Sequence, residues 1–189
     1  VFIVSIRNDI LEELGHQING IVFPSFTSRI FPSPLKGQYS LQDAIFDLLK
    51  NKKNIQEGEE LEKVMKSNSK YDLVKKLKKN PIAYQSVGDI NLNGSLFQTR
   101  RVPWDEPSHC LTEKGLETSF STHLHPDKDR GFTTFEAMRI MGLPKDFELL
   151  GSLDERLGVI GLMVAPPQMF YLSKHIYENV LKPLEFGNE

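Results

Sequence analysis

Cysteine is almost missing from this chain: Cys110 is the single example among 189 residues. One thiol excludes an intrachain disulfide and leaves no thiolate set for a structural zinc centre. It suits a reducing compartment, and a cytoplasmic location is expected. Long apolar runs are missing too. None approaches the roughly 18 residues a spanning helix needs, so no membrane partner is expected. The first residues, VFIVSIRNDI, have neither the basic flank nor the cleavage site of a secretory signal, and no initiating methionine. The expectation is a piece of a longer polypeptide.

Net charge is also nearly absent, at −2, but it is unevenly spread. Between Lys50 and Lys79 ten lysines face five acids, which leaves about −7 for the remainder. Attraction to phosphate needs local rather than global charge, so this segment could face nucleic acid. It could equally be a solvated helix face.

What remains is ordinary globular material, 39% apolar and 25% charged, long enough for one or two modest domains. Val1, Phe2, Ile3, Val4 and Ile6 form a continuous apolar run, the pattern of a strand covered on both faces in a parallel α/β sheet. Pro24, Pro32, Pro34 and Gly37 punctuate an extended crossing. Ser40 and Asp43 then stand in capping-box spacing ahead of Ala44, Ile45, Leu48 and Leu49. Leu61, Val64 and Met65 indicate a short helix, and Tyr71, Val74 and Leu77 another, which Pro81 stops. Residues 82–120 read as short strands and turns. Thr133 and Glu136 make a second capping box, with Gly142 and Pro144 ending that helix. Met169, Leu172, Ile176 and Val180 recur at helical spacing after Pro166 and Pro167, and Pro183 closes the last helix.

Residues 125–147, HPDKDRGFTTFEAMRIMGLPKDF, carry a more specific signal. The segment resembles the ninth motif of the DNA cytosine-5 methyltransferases, with Arg130, Thr133, Glu136, Ala137, Arg139, Gly142, Pro144, Asp146 and Phe147 in register without a gap. Phe132, Phe135 and Leu143 depart from it. Three further segments are similar to that family in order and spacing. VFIVSIRND resembles the strand after the eighth motif, FPSPLKGQYSLQDAIFDLL the entry to the recognition region, and WDEPSHCLT its close, with Cys110 in place of a threonine. The tenth motif is looser: Leu162 stands where the family has an asparagine that helps hold S-adenosylmethionine.

The resemblance implies an α/β fold: the C-terminal portion of a Rossmann-like S-adenosylmethionine-dependent methyltransferase plus a small mixed α+β target-recognition domain. Residues 1–15 would be a last-strand segment of the catalytic domain, 16–120 the recognition domain, and 121–189 the ninth- and tenth-motif segment returning to the catalytic domain. The helix after Thr133 and the closing helix would pack onto a sheet supplied mostly by other polypeptide. Family chemistry adds a cysteine thiolate to C6 of a cytosine flipped out of duplex DNA, a glutamate holds the ring nitrogen, and C5 takes the methyl group. The family's Pro-Cys and Glu-Asn-Val signatures do not occur here, so no catalytic residue is expected in this chain, and the chain alone is expected to be inactive.

Candidate sites follow. Cys110 beside His109 invites a nucleophile reading, but neighbours on a strand point to opposite faces, so packing near the DNA is favoured. His123, His125, Asp127 and Asp129 lack the spacing of a dedicated metal site, and none is expected. Gln98, Thr99, Arg100 and Arg101 are the expected DNA-reading group, since glutamine can read adenine and arginine guanine. Lys75, Lys76, Lys78 and Lys79 could bind phosphate. Arg130, Thr133, Glu136 and Arg139 are expected to support the recognition domain, and Gly161, Leu162 and Val164 to lie near the cofactor. The expected partners are duplex DNA and an N-terminal catalytic part or partner subunit, with self-association as a possibility. A split enzyme's second subunit, a non-catalytic DNA-binding or regulatory module, and an unrelated α/β interaction domain remain as alternatives.

Overall fold

A computed structural model of the chain describes residues 32–33, 37, 39–86 and 99–182. The expected first strand, most of the extended crossing, Gln98 and Pro183 lie outside these residues. Ser40 caps the first described helix, α1 (Leu41–Ile45), in the expected capping box with Asp43, and a 3₁₀ turn continues it over Phe46–Lys50. Asn51 then caps α2, Lys52–Lys66, by accepting from the amides of Lys53 and Asn54. This helix is far longer than the expected segment around Leu61. Leu61 and Met65 are buried as predicted, but Val64 faces outward. The short α3, Tyr71–Lys75, buries Val74, and Leu77 follows it into the interior.

Among the described residues the β structure is sparse. β1 (Gln85–Ser86) pairs antiparallel with β2 (Arg100–Arg101), and β2 pairs parallel with β3 (His123–Leu124). The described residues are therefore mixed α/β around a small three-stranded sheet in the order β1-β2-β3. Beyond a 3₁₀ turn at Lys114–Leu116 come α4 (Thr134–Ile140) and α5 (Leu153–Leu162). Sequence reasoning missed α5, although Ser152 and Glu155 form a third capping box there.

Residues 37–165 form one compact unit. Its core joins Leu41, Ile45 and Leu61 to Val102, Trp104 and Leu111, and to Phe132, Ala137, Leu157 and Ile160. A smaller cluster gathers Met65, Val74, Leu77 and Leu124. The helix after Thr133 packs into the core of this unit through Ala137. Residues 121–165 fall in one compact unit with residues 37–120. The buried polar network described below draws its partners from α2 and α4 together.

Residues 1–36 and 166–189 make the second unit. Its described helix, α6, runs Pro166–Ile176 with a π-helical turn at Tyr177–Leu181. Leu172 and Val180 are buried, whereas Met169, Phe170, Tyr171, Tyr177 and Leu181 are exposed. Among the described residues, no helix is long and apolar enough to cross a membrane.

Candidate nucleic-acid interface and its buried support

The ninth-motif residues assemble into a buried polar knot. Thr133 caps α4, accepting at its hydroxyl from the Glu136 amide, while Glu136 accepts from the Thr133 amide at 3.0 Å. The same carboxylate accepts two bonds from Arg130, at 2.8 and 2.9 Å. Its oxygen Oε1 also takes a bond from the Asn54 amide group of α2 at 3.1 Å, and the Thr133 hydroxyl donates to Asn54 Oδ1. Glu136 is wholly buried and Arg130 nearly so. Burial alone would raise the Glu136 pKa, but the hydrogen bonds and charge of Arg130 overrule it and hold the value at about 2.

Two further residues of α2 complete the joint. Glu57 accepts from the amide and hydroxyl of Thr134, and its other oxygen lies 3.4 Å from Arg156 of α5. Gly58 lets the Arg130 guanidinium lie against the helix: a Cβ there would stand 2.8 Å from Arg130 Nε. Sequence reasoning missed Asn54, Glu57 and Gly58. A glycine inside a helical run was the available signal, since such a residue commonly marks close packing. Arg139, the fourth expected support residue, is only partly exposed and pairs with Asp47 of the 3₁₀ turn after α1.

The expected DNA-reading group is divided by the fold. Thr99 and Arg101 are buried, and Arg100 between them is exposed, as alternation along a strand requires. Arg101 shows no exposed surface at all. Its Nη1 donates to the carbonyls of His125 and Lys128, each at 2.6 Å, and its Nη2 to Asp129 at 2.7 Å. So engaged and so deep, Arg101 is not placed to read a base edge, which corrects the expectation for that residue. Arg100 has no side-chain partner among the described residues, and its amide bonds the Thr122 carbonyl at 2.9 Å.

The four lysines of the basic run are all exposed. Lys75 is paired with Asp72 and Lys79 with Asp129, each at 2.6 Å, whereas Lys76 and Lys78 form no ion pair among the described residues. The helix face is therefore partly neutralised by its own neighbours.

Of the four side chains at 123, 125, 127 and 129, those of His125, Asp127 and Asp129 have other partners. Asp127 accepts from the Trp104 indole at 2.7 Å, and Asp129 holds Arg101 and Lys79. His125 Nδ1 accepts from the Asp127 amide at 3.1 Å, which puts its proton on Nε2, 3.8 Å from Glu136 Oε1. Burial lowers its pKa to about 3 against the opposing pull of Glu136. His123 is lowered to about 4, again chiefly by burial. His109 stacks on Tyr84, with ring centroids 4.3 Å apart, and lies 6.2 Å from the His123 ring. Cys110 is exposed and free.

Near the expected cofactor edge, Gly161 sits in the last turn of α5. A Cβ there would lie 2.3 Å from the Glu113 amide nitrogen, so this glycine admits a close backbone crossing. Leu162 and Val164 are exposed apolar residues. Gly161 is thus pressed against backbone, and positions 162 and 164 offer no polar side chain.

The sequence pattern of the family described as C-5 cytosine-specific DNA methylase matches residues 1–178. The chain belongs to that family. A protein of Oceanobacillus iheyensis bearing the name "Putative type II methyltransferase M.OihORF3336P" is 35% identical over 88 residues, which is 47% of this chain and 18% of that protein. The type II methyltransferase M.Sau96I of Staphylococcus aureus is 30% identical over 83 residues, 44% of this chain and 19% of its own length. The matched portion of this methylase-family chain thus spans less than a fifth of either relative. No solved structure matches.

Proposed function

We propose that this chain supplies target recognition and domain closure to a DNA cytosine-5 methyltransferase, an enzyme that methylates C5 of cytosine in duplex DNA. One observation carries the reading: the family pattern runs through residues 1–178, and its ninth-motif residues Arg130, Thr133 and Glu136 meet in one buried knot. A joint of that kind fixes a recognition unit rigidly, which the reading of a defined DNA sequence requires. The unit of residues 37–165 meets DNA through Arg100, together with Gln98 and the lysines at 75, 76, 78 and 79, while the buried Thr99 backs the strand from inside. Of these, Arg100, Lys76 and Lys78 are the exposed cations without a charge partner among the described residues.

The thiolate and glutamate that act on the flipped cytosine come from an N-terminal catalytic part, joined to this chain or carried by a partner subunit. S-adenosylmethionine is the methyl donor of that complete enzyme. The exposed side chains Met169, Phe170, Tyr171, Tyr177 and Leu181 on and just after α6 form a surface which that part covers, and which otherwise favours self-association. The test is methylation of plasmid DNA read by bisulfite sequencing, with the chain alone and with a methyltransferase N-terminal part supplied. Marks are expected only in the combination. Turnover by the chain alone would overturn the division of labour, and none in the combination would overturn the proposal.

A further inference from the structure

We propose that Arg101 is a positioning residue for DNA binding, acting from inside the fold by fixing the short strand that presents Arg100. The inference rests on the reading of Arg100 as a DNA contact and assigns its neighbour a different part in that contact. β2 has only two residues, so its backbone ladder alone does little to fix its register. Its neighbours on both sides are held: Thr99 is buried, and beyond Arg101 come the core residues Val102 and Trp104.

Arg101 adds the cross-link the ladder lacks. From β2 its guanidinium reaches the carbonyls of His125 and Lys128 and the carboxylate of Asp129, all in the chain that leaves β3. Trp104 Nε1 adds a second tie to the same loop through Asp127. Between these fixed points Arg100 is exposed with no side-chain partner among the described residues, although it is charged and long. A free guanidinium on an immobilised backbone has less freedom to lose on meeting a phosphate, which is the advantage of preorganisation. Arg101 cannot itself meet one, because it has no exposed surface.

The experiment measures binding of the 189-residue chain to a fluorescein-labelled DNA duplex by anisotropy across a salt series. It compares wild type with Arg100→Ala, Arg101→Lys, Asp129→Asn and the double variant Arg100→Ala/Arg101→Lys. Thermal melting confirms that each is folded at the binding temperature. Arg100→Ala should weaken binding roughly tenfold and flatten the salt dependence by about one released ion. Arg101→Lys keeps the formal charge and should flatten it equally, with the double variant no worse than Arg100→Ala alone. Asp129→Asn is the second route should lysine at 101 not fold. It removes a negative charge, which by itself strengthens DNA binding, yet loss of positioning predicts weaker binding. Arg101→Lys or Asp129→Asn with the wild-type salt dependence, or additive effects in the double variant, would overturn the inference. An unaffected Arg100→Ala variant would overturn it while leaving the methyltransferase reading intact. A wild-type chain that ignores DNA would remove the DNA-binding reading as well.

Discussion

Arg130 and Arg100 carry the same guanidinium in two regions that treat it in opposite ways. Around Arg130 the cation is buried against Glu136, and donors from Asn54, Thr133 and Thr134 find buried acceptors. Around Arg100 the cation stands in solvent with no side-chain partner among the described residues, while the adjacent Arg101 is used inside the fold. A buried pair is costly to break because the surviving charge is stranded, whereas an exposed charge is cheap to remove from the fold and matters only to a partner. The contrast therefore separates residues that build the unit from residues available to act for it.

The sharpest way to break that distinction is Glu136→Ala. It leaves Arg130 unpaired in the interior and should cost about 3–5 kcal/mol, read as a lower midpoint in urea denaturation. An effect below about 1 kcal/mol would mean the knot is ornamental.

Acid should attack the buried region next. His125 and His123 have folded pKa values of about 3 and about 4, below the ordinary value of 6.5. The unfolded chain therefore binds protons first as pH falls below 6.5, and stability declines down through the folded values. Between pH 7 and 5 the loss is about 2 kcal/mol for each histidine, seen as a falling melting temperature. Glu136, lowered to about 2 from 4.5, adds a further loss below pH 4.5. A flat melting profile from pH 7 to 5 would contradict the burial of both rings.

Gly161→Ala sharpens the account of the tenth-motif edge. The new methyl meets the backbone of Glu113, which cannot swing aside, so a loss of about 1–3 kcal/mol is expected by the same denaturation measurement. A neutral result would return Gly161 to the pool of ligand-facing residues. The smallest expected effect is on the exposed cations: Lys76→Ala and Lys78→Ala should each change stability by less than about 0.5 kcal/mol. A large loss from either would place it with the structural residues.

The capping boxes at Ser40–Asp43 and Thr133–Glu136 were legible because their signal is local, a side chain and an amide three residues apart. The one at Ser152–Glu155 has the same local signal, a serine with a glutamate three residues on. Asn54 and Glu57 were not legible: their partners lie 77 to 82 residues away, and no local periodicity announces such a contact. Arg101 misled for a related reason. An arginine is usually exposed, and only the loop from His125 to Asp129, brought beside it by the parallel pairing of β2 with β3, makes its burial affordable.

The most direct test sets the two arginine environments side by side. DNA affinity against salt concentration and the thermal midpoint are measured on the same preparations of wild type and Arg100→Ala. The account predicts an unchanged midpoint with a salt dependence flattened by about one ion. A shifted midpoint with the salt dependence intact would contradict it, because Arg100 would then be holding the unit together instead of meeting DNA.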